Sequence, residues 1–207
     1  RGFGTTIGNA LRRVMLSSMP GSAIVAVKID GVAHEFQTID GIVEDVTTII
    51  LNLKNVVVKN HSDEDKTMHL HVDTEKTVTA ADIETDADVE IMNKDQVIAT
   101  VSKGGKLDME FIVSNGRGYV PSNENKKIIE NKKIGFIPID ALYSPIERIS
   151  YDVTNARVGQ DTSYDKLTMN VQTNGALRPE EAMALGAKIL IEHLNIITDL
   201  SEIADTT

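Results

Sequence analysis

The sequence predicts an α+β fold in which both chain ends form one unit around an inserted, strand-rich unit. Three observations carry this. Apolar residues recur at helical spacing near the N-terminus and again after Pro179. Between Val56 and Ile139 they alternate with polar residues at period two. The closing helical pattern is also far wider than one packing face requires. The boundaries expected are residues 1–21 with 144–207 for the unit formed by both chain ends, and residues 22–143 for the inserted β-rich domain.

The stretch TTIGNALRRVMLSSMPG (Thr5–Gly21) reads as an amphipathic helix, capped by Thr5 or Thr6 and ended by Pro20-Gly21. At about 100° per residue, Ile7, Ala10, Leu11, Val14 and Met15 share one face. Asn9, Arg12, Arg13 and Leu16 lie on the other, with Met19 at the edge. Periodicity leaves two readings of Leu16. It is a scattered exposed leucine, which is ordinary, or an aliphatic anchor framed by arginines, the make-up of a small interface hot spot. Ile24–Asp30 reads as a buried strand closed by Asp30-Gly31. Asp40-Gly41 is expected to open a second helix aligning Ile42, Val46, Ile49, Ile50 and Leu53, with Leu51 opposite and Lys54 at the edge.

In the middle, Met68, Leu70 and Val72 alternate with His69 and His71, while Leu107, Met109, Phe111 and Val113 alternate with Asp108, Glu110 and Ile112. These are half-buried strands. Gly104-Gly105 and Asn115-Gly116 mark turns, and the polar stretch Pro121–Lys133 reads as an exposed loop. Ile149, Tyr151 and Val153, then Leu167, Met169 and Val171, form a hairpin turning at Gly159–Tyr164. Pro179 with Glu180 and Glu181 starts the last helix: proline fits a first turn, and acids suit its positive end. Its apolar stripe includes Ala182, Leu185, Ile189, Leu190, His193, Ile196, Ile197 and Leu200, and Met183, Ile191 and Leu194 widen it further. A helix this apolar is covered on several sides, and the second cover expected is another copy of the chain.

Composition narrows the chemistry. Aromatics make up 4% and Trp is absent, so the core must be aliphatic. The absence of Cys removes disulfides, thiolate metal sites and a Cys nucleophile together. The net charge is −10, and His61–Glu90 holds ten acidic residues against Lys66 and Lys76, a solvated face more readily than a docking surface. Such a chain repels a phosphate backbone, and no direct DNA binding is expected. No apolar run reaches the ~20 residues of a membrane helix, and no signal peptide is evident.

The candidates for catalysis are few. His69 and His71 share a strand face at metal-compatible spacing, but no third ligand is anchored beside them. His193 sits on an apolar stripe, where a core or interface role fits better than a catalytic one. Gly2-Phe3-Gly4 and Gly116-Arg117-Gly118 lack the spacing of phosphate-binding loops. No catalytic, cofactor-binding or metal-ligating residue is therefore assigned. The alternatives are an enzyme built on His69 and His71 or on a pocket in the insert, and a monomeric β-rich binding module.

Several long motifs follow in order: RGFGTTIGNALRRVMLSSMPG, VKIDGVAHEF, IVEDVTTIILNLK, VTAADI, GRGYVP, YSPIERISYDVTNARVGQ and YDKLTMNVQTNG. On these, the chain resembles the N-terminal assembly region of the α subunits of bacterial DNA-directed RNA polymerases, over essentially its whole length. The resemblance implies a cytoplasmic, non-catalytic scaffold in a nucleotidyltransferase complex, whose homodimer seats the β and β′ subunits for transcription. It implies a dimer contact through Phe3, Ile7, Leu11, Val14, Ile189, Leu190, His193, Ile196 and Ile197. It places large-subunit contacts at Arg12, Arg13, Leu16, His34, Glu35, Phe36, Lys54 and Ile139. The polymerase's catalytic metal belongs to β′ in this reading. Further strands before Arg1 and a DNA-binding domain after Thr207 are also implied, so DNA recognition falls on no residue here.

Overall fold

The computed structural model describes residues 2–130 and 134–204. It is an α+β fold whose chain divides into two compact units, one of Arg1–Met19 with Ser144–Thr207 and one of Pro20–Tyr143. The chain opens with α1 (Phe3–Ser17), then β1 (Pro20–Ile29) and α2 (Val46–Lys54). Short strands follow: β2 (Val58–Asn60), β3 (Lys66–Val72), β4 (Lys76–Thr79), β5 (Ile83–Glu84), β6 (Val89–Ile91) and β7 (Val97–Val101). Next come β8 (Leu107–Arg117), β9 (Tyr119–Val120), α3 (Ser122–Glu130), β10 (Ile137–Pro138) and β11 (Ala141–Leu142). The long strands β12 (Ile146–Val158) and β13 (Asp161–Thr173) and the helix α4 (Pro179–Ala204) end the chain.

The unit Pro20–Tyr143 is organised by an antiparallel sheet in the order β10-β1-β8-β3-β5. Its main core joins Met68, Leu70 and Val72 of β3 and Leu107, Met109, Phe111 and Val113 of β8 to Val46, Ile49, Ile50 and Leu53 of α2. The ribbons β2-β6 and β4-β7 contribute to the same core. The strand β1 is apolar without a break from Ala23 to Val27 because both its faces are covered there. A bulge between Ile24 and Ala26 resets its alternation. Ile24, Val27 and Ile29 therefore enter the main core, while Ala23, Val25 and Ala26 meet Ile112, Ile129 and Phe136 in a second one.

Three expected boundaries are corrected. The second helix starts at Val46 rather than Asp40-Gly41, and Asp45 caps it by accepting from the Thr48 N–H at 2.8 Å. Gly41 instead has φ 81°, with space for a Cβ closed by Gly105 Cα at 2.6 Å, so it makes a turn that a helix start could not. The stretch Pro121–Lys133 is not simply a loop: α3 occupies Ser122–Glu130 because Asn125 and Ile129, one turn apart, are buried on it. Residues 131–133 of that expected loop lie outside the described residues. Finally, α1 is capped by neither Thr5 nor Thr6. Its N-cap is Gly2, with no side-chain bond of its own, and Pro20-Gly21 opens β1 rather than closing the helix.

In the other unit, β12 and β13 pair as a two-stranded antiparallel ribbon, with Ile149 opposite Val171, Tyr151 opposite Met169 and Val153 opposite Leu167. One face of this ribbon carries α1. The core joins Leu11, Met15 and Met19 to Ile146, Ile149, Ala182 and Ile189, so α4 closes it from the side.

Candidate interaction surfaces

The helix α1 has three distinct sides. Gly4, Gly8, Leu11 and Met15 are buried. The glycines lie flat on the ribbon: a Cβ on Gly8 would come within 2.7 Å of Tyr151 Cδ2 and 2.9 Å of Leu167 Cδ1. At ~100° per residue, Phe3 and Ile7 fall to one flank of this stripe, Arg12 and Leu16 to the other, and Arg13 opposite it. Phe3, Arg12, Arg13 and Leu16 are exposed and Val14 is half-buried. Ile7, expected on the inner face beside Leu11, is 47% exposed instead. The buried stripe has turned toward residues that carry no side chain and so give no hydrophobic signal.

In α4, Ala182, Gly186 and Ile189 are buried, and Leu190 is half-buried. Beyond them the helix exposes Ile191, Leu194, Ile196, Ile197 and Leu200 to between 50% and 69%. The Nδ1 of His193 donates to the Ile189 carbonyl at 2.8 Å, which holds the ring against its own helix. Of the residues expected at a dimer contact, Leu11 and Ile189 are each 8% exposed. Their side chains pack inside the unit's own core, because they sit where α1, α4 and the ribbon meet.

The other unit carries a second set of candidates. His34, Glu35 and Phe36 form an exposed loop, with Phe36 80% exposed. Gln37 Oε1 accepts from the N–H groups of Ala33 and His34, and Thr47 Oγ1 donates to the Glu35 carbonyl at 2.9 Å, tying the loop to the start of α2. At the far end of α2, Lys54 Nζ meets Asp140 Oδ2 at 2.9 Å. Asp140 also accepts from the Ser122 N–H at 2.8 Å, at the head of α3. The Lys54 bond, then the Ser122 N–H, hold the Asp140 carboxyl below the usual carboxylate range. Burial, with Asp140 alongside, pushes the Tyr119 phenol up. Ile139, expected near a large-subunit contact, is 2% exposed and its side chain belongs to the main core. The exposed apolar side chains of its neighbourhood are those of Leu142 and, on the paired strand β9, Tyr119, neither of which sequence reasoning singled out.

The histidine pair lies on the polar face of the five-stranded sheet, in an open hollow of about 340 Å³ that Lys28, Asp30, Glu84, Asp108 and Glu110 also line. His69 pairs with Glu110 at 3.6 Å. The Nδ1 of His71 is hydrogen-bonded to Asp108, which, more than the Asp73 carboxylate nearby, raises the pKa of its imidazole. Among the described residues no group of three His, Asp or Glu side chains is placed to hold a metal ion, and no helix is long and apolar enough to cross a membrane.

Residues 27–144 match the family model described as the RNA polymerase Rpb3/RpoA insert domain. The chain belongs to the family of bacterial RNA polymerase α subunits. It is 57% identical over 205 residues to the DNA-directed RNA polymerase subunit alpha of Symbiobacterium thermophilum, covering 99% of this chain and 64% of that protein. The α subunits of Oceanobacillus iheyensis and Moorella thermoacetica are 55% and 56% identical over 202 residues, each covering 98% of this chain and 64% of the relative. The chain thus spans just under two thirds of the length of these α subunits. Both candidate surfaces, α1 with α4 and α2 with its loop, fall inside the aligned part.

Proposed function

We propose that the chain acts in transcription as a non-catalytic, cytoplasmic scaffold subunit of a DNA-dependent RNA polymerase, the nucleotidyltransferase complex to which its relatives' names refer. It self-associates through the exposed side of α4 together with Phe3 and Ile7 of α1. It then seats the large β and β′ subunits on Arg12, Arg13 and Leu16, on His34, Glu35 and Phe36, and around Lys54. The observation that carries this reading is the row of five large apolar side chains on α4 from Ile191 to Leu200, left exposed among the described residues of their unit. A monomer would keep that row wet, whereas a second copy meeting it about a twofold axis buries both rows at once.

Sedimentation across micromolar concentrations tests the first part, and a dimer is the expected result. For the second, Arg13→Ala should weaken capture of a β subunit roughly tenfold and leave the dimer intact. Dissociation of the dimer by Arg13→Ala with β capture unchanged would reverse the assignment of the two flanks of α1.

A further inference from the structure

Asp165 stands on the same face of β13 as Leu167, Met169 and Val171, one alternation step earlier, and it is the polar member of that series. Its Oδ2 accepts from the backbone N–H of Gly2 at 2.9 Å and of Gly4 at 3.2 Å. Among the described residues no local group does this. Gly2 has no side chain, and the first turn of α1 contains no acidic residue. A carboxylate from 161 to 163 positions away therefore satisfies two of the open donors of the helix and meets its positive end.

The packing beneath explains why this bond matters. Gly4 lets α1 approach so closely that a Cβ there would lie 2.8 Å from Val153 Cγ1 and 3.1 Å from Asp165 Cβ. Glycine gives close approach but no protruding side chain to lock the helix in place along the ribbon. The first side chain of α1 with a buried socket is Leu11, two turns later. The opening turns, which carry the exposed Phe3 and Ile7 one turn apart, are thus held mainly by directional bonds to Asp165.

We propose that Asp165 is a positioning residue for self-association. By ordering the first two turns of α1 before a second copy arrives, it lowers the entropy lost when Phe3 and Ile7 are immobilised in the contact. This rests on the dimer reading above.

The test is the dimer dissociation constant of this 207-residue chain by sedimentation equilibrium. Asp165→Ala should raise it roughly threefold to tenfold, the effect of losing one helix cap. Asp165→Asn, which keeps an acceptor oxygen, should recover most of the loss. Phe3→Ala should also raise the constant, and should add less in the Asp165→Ala background than alone, because a frayed first turn already misplaces the ring. If Asp165→Ala is unfolded by circular dichroism, Asp165→Ser takes its place, with the same expectation. An unchanged constant in Asp165→Ala beside a raised one in Phe3→Ala overturns the inference and leaves the dimer reading standing. So does strict additivity of the two substitutions. A parent chain that stays monomeric at every concentration removes the dimer reading, and this inference with it.

Discussion

Gly8 shows how much one missing side chain decides. With Tyr151 and Leu167 both inside 3 Å of where its Cβ would lie, the helix rests on the ribbon only because nothing projects there. Gly8→Val should destabilise the unit by about 1–3 kcal/mol, as overpacking does, with the loss visible in chemical denaturation. Two titrating residues add predictions of opposite sign. The Asp140 carboxyl is held below its ordinary value by Lys54 and the Ser122 N–H. The stability it lends is present above the ordinary aspartate value and is lost as pH falls through the lowered one. Asp140→Asn should therefore melt below the parent at neutral pH, with the gap closing as pH falls through the lowered value. His71, raised mainly by its bond to Asp108, behaves the other way. Its contribution is complete below the ordinary histidine value and vanishes as pH climbs through the raised one. The deficit of His71→Gln should be widest below the ordinary histidine value and gone once pH has passed the raised one. A deficit that grows with pH would show that the Asp108 contact is not what holds the ring.

At the scale of elements, legibility in the sequence followed how each element is buried. The strand β3, the start of β8 and the ribbon β12-β13 each have one face less covered than the other, so Met68, Leu70 and Val72 or Leu167, Met169 and Val171 stand out by alternation. The helix α3 did not stand out, because its inner side is carried by Asn125 and Ile129 in a run of lysines, glutamates and asparagines. The start of α2 was misplaced because Asp40-Gly41 and Asp45 both have the composition of a helix start, and only the second lies next to helical backbone. On α1, Arg12, Arg13 and Leu16 were legible as an outer side, whereas the exposure of Ile7 depends on two glycines that a hydrophobic pattern ignores. Resemblance to known α subunits pointed to Ile139 but could not give its side-chain direction, which is inward. For α4, the exposed row sets a direct expectation. Leu194→Asp with Ile197→Asp should convert a dimer to monomers while leaving the helical circular dichroism largely intact, because both side chains are exposed within their own unit. Loss of helix in parallel with dissociation would mean that the row supports the monomer's fold instead.

As a whole molecule, the chain is one unit interrupted by another. The unit Pro20–Tyr143 has its own two apolar clusters and a sheet made entirely of its own strands. Excised as that segment, it should melt in one cooperative transition, read by calorimetry. A broad, non-cooperative trace would show that it needs the outer segments to fold. Its two ends are neighbours: a Cβ on Gly21 would collide with the Tyr143 carbonyl oxygen, 1.7 Å away, so the chain leaves the unit beside the point where it entered. That closeness sets an order of events at the ribosome. Synthesis delivers α1 before the interrupting unit, yet the core it belongs to requires Ile146, Ile149, Ala182 and Ile189, which are made after that unit. The interrupting unit can complete itself as soon as Tyr143 has emerged, and by bringing its ends together it shortens the loop that the outer unit must still close. Until then α1 waits with Leu11, Met15 and Met19 uncovered, the stage at which a nascent chain has most need of a chaperone.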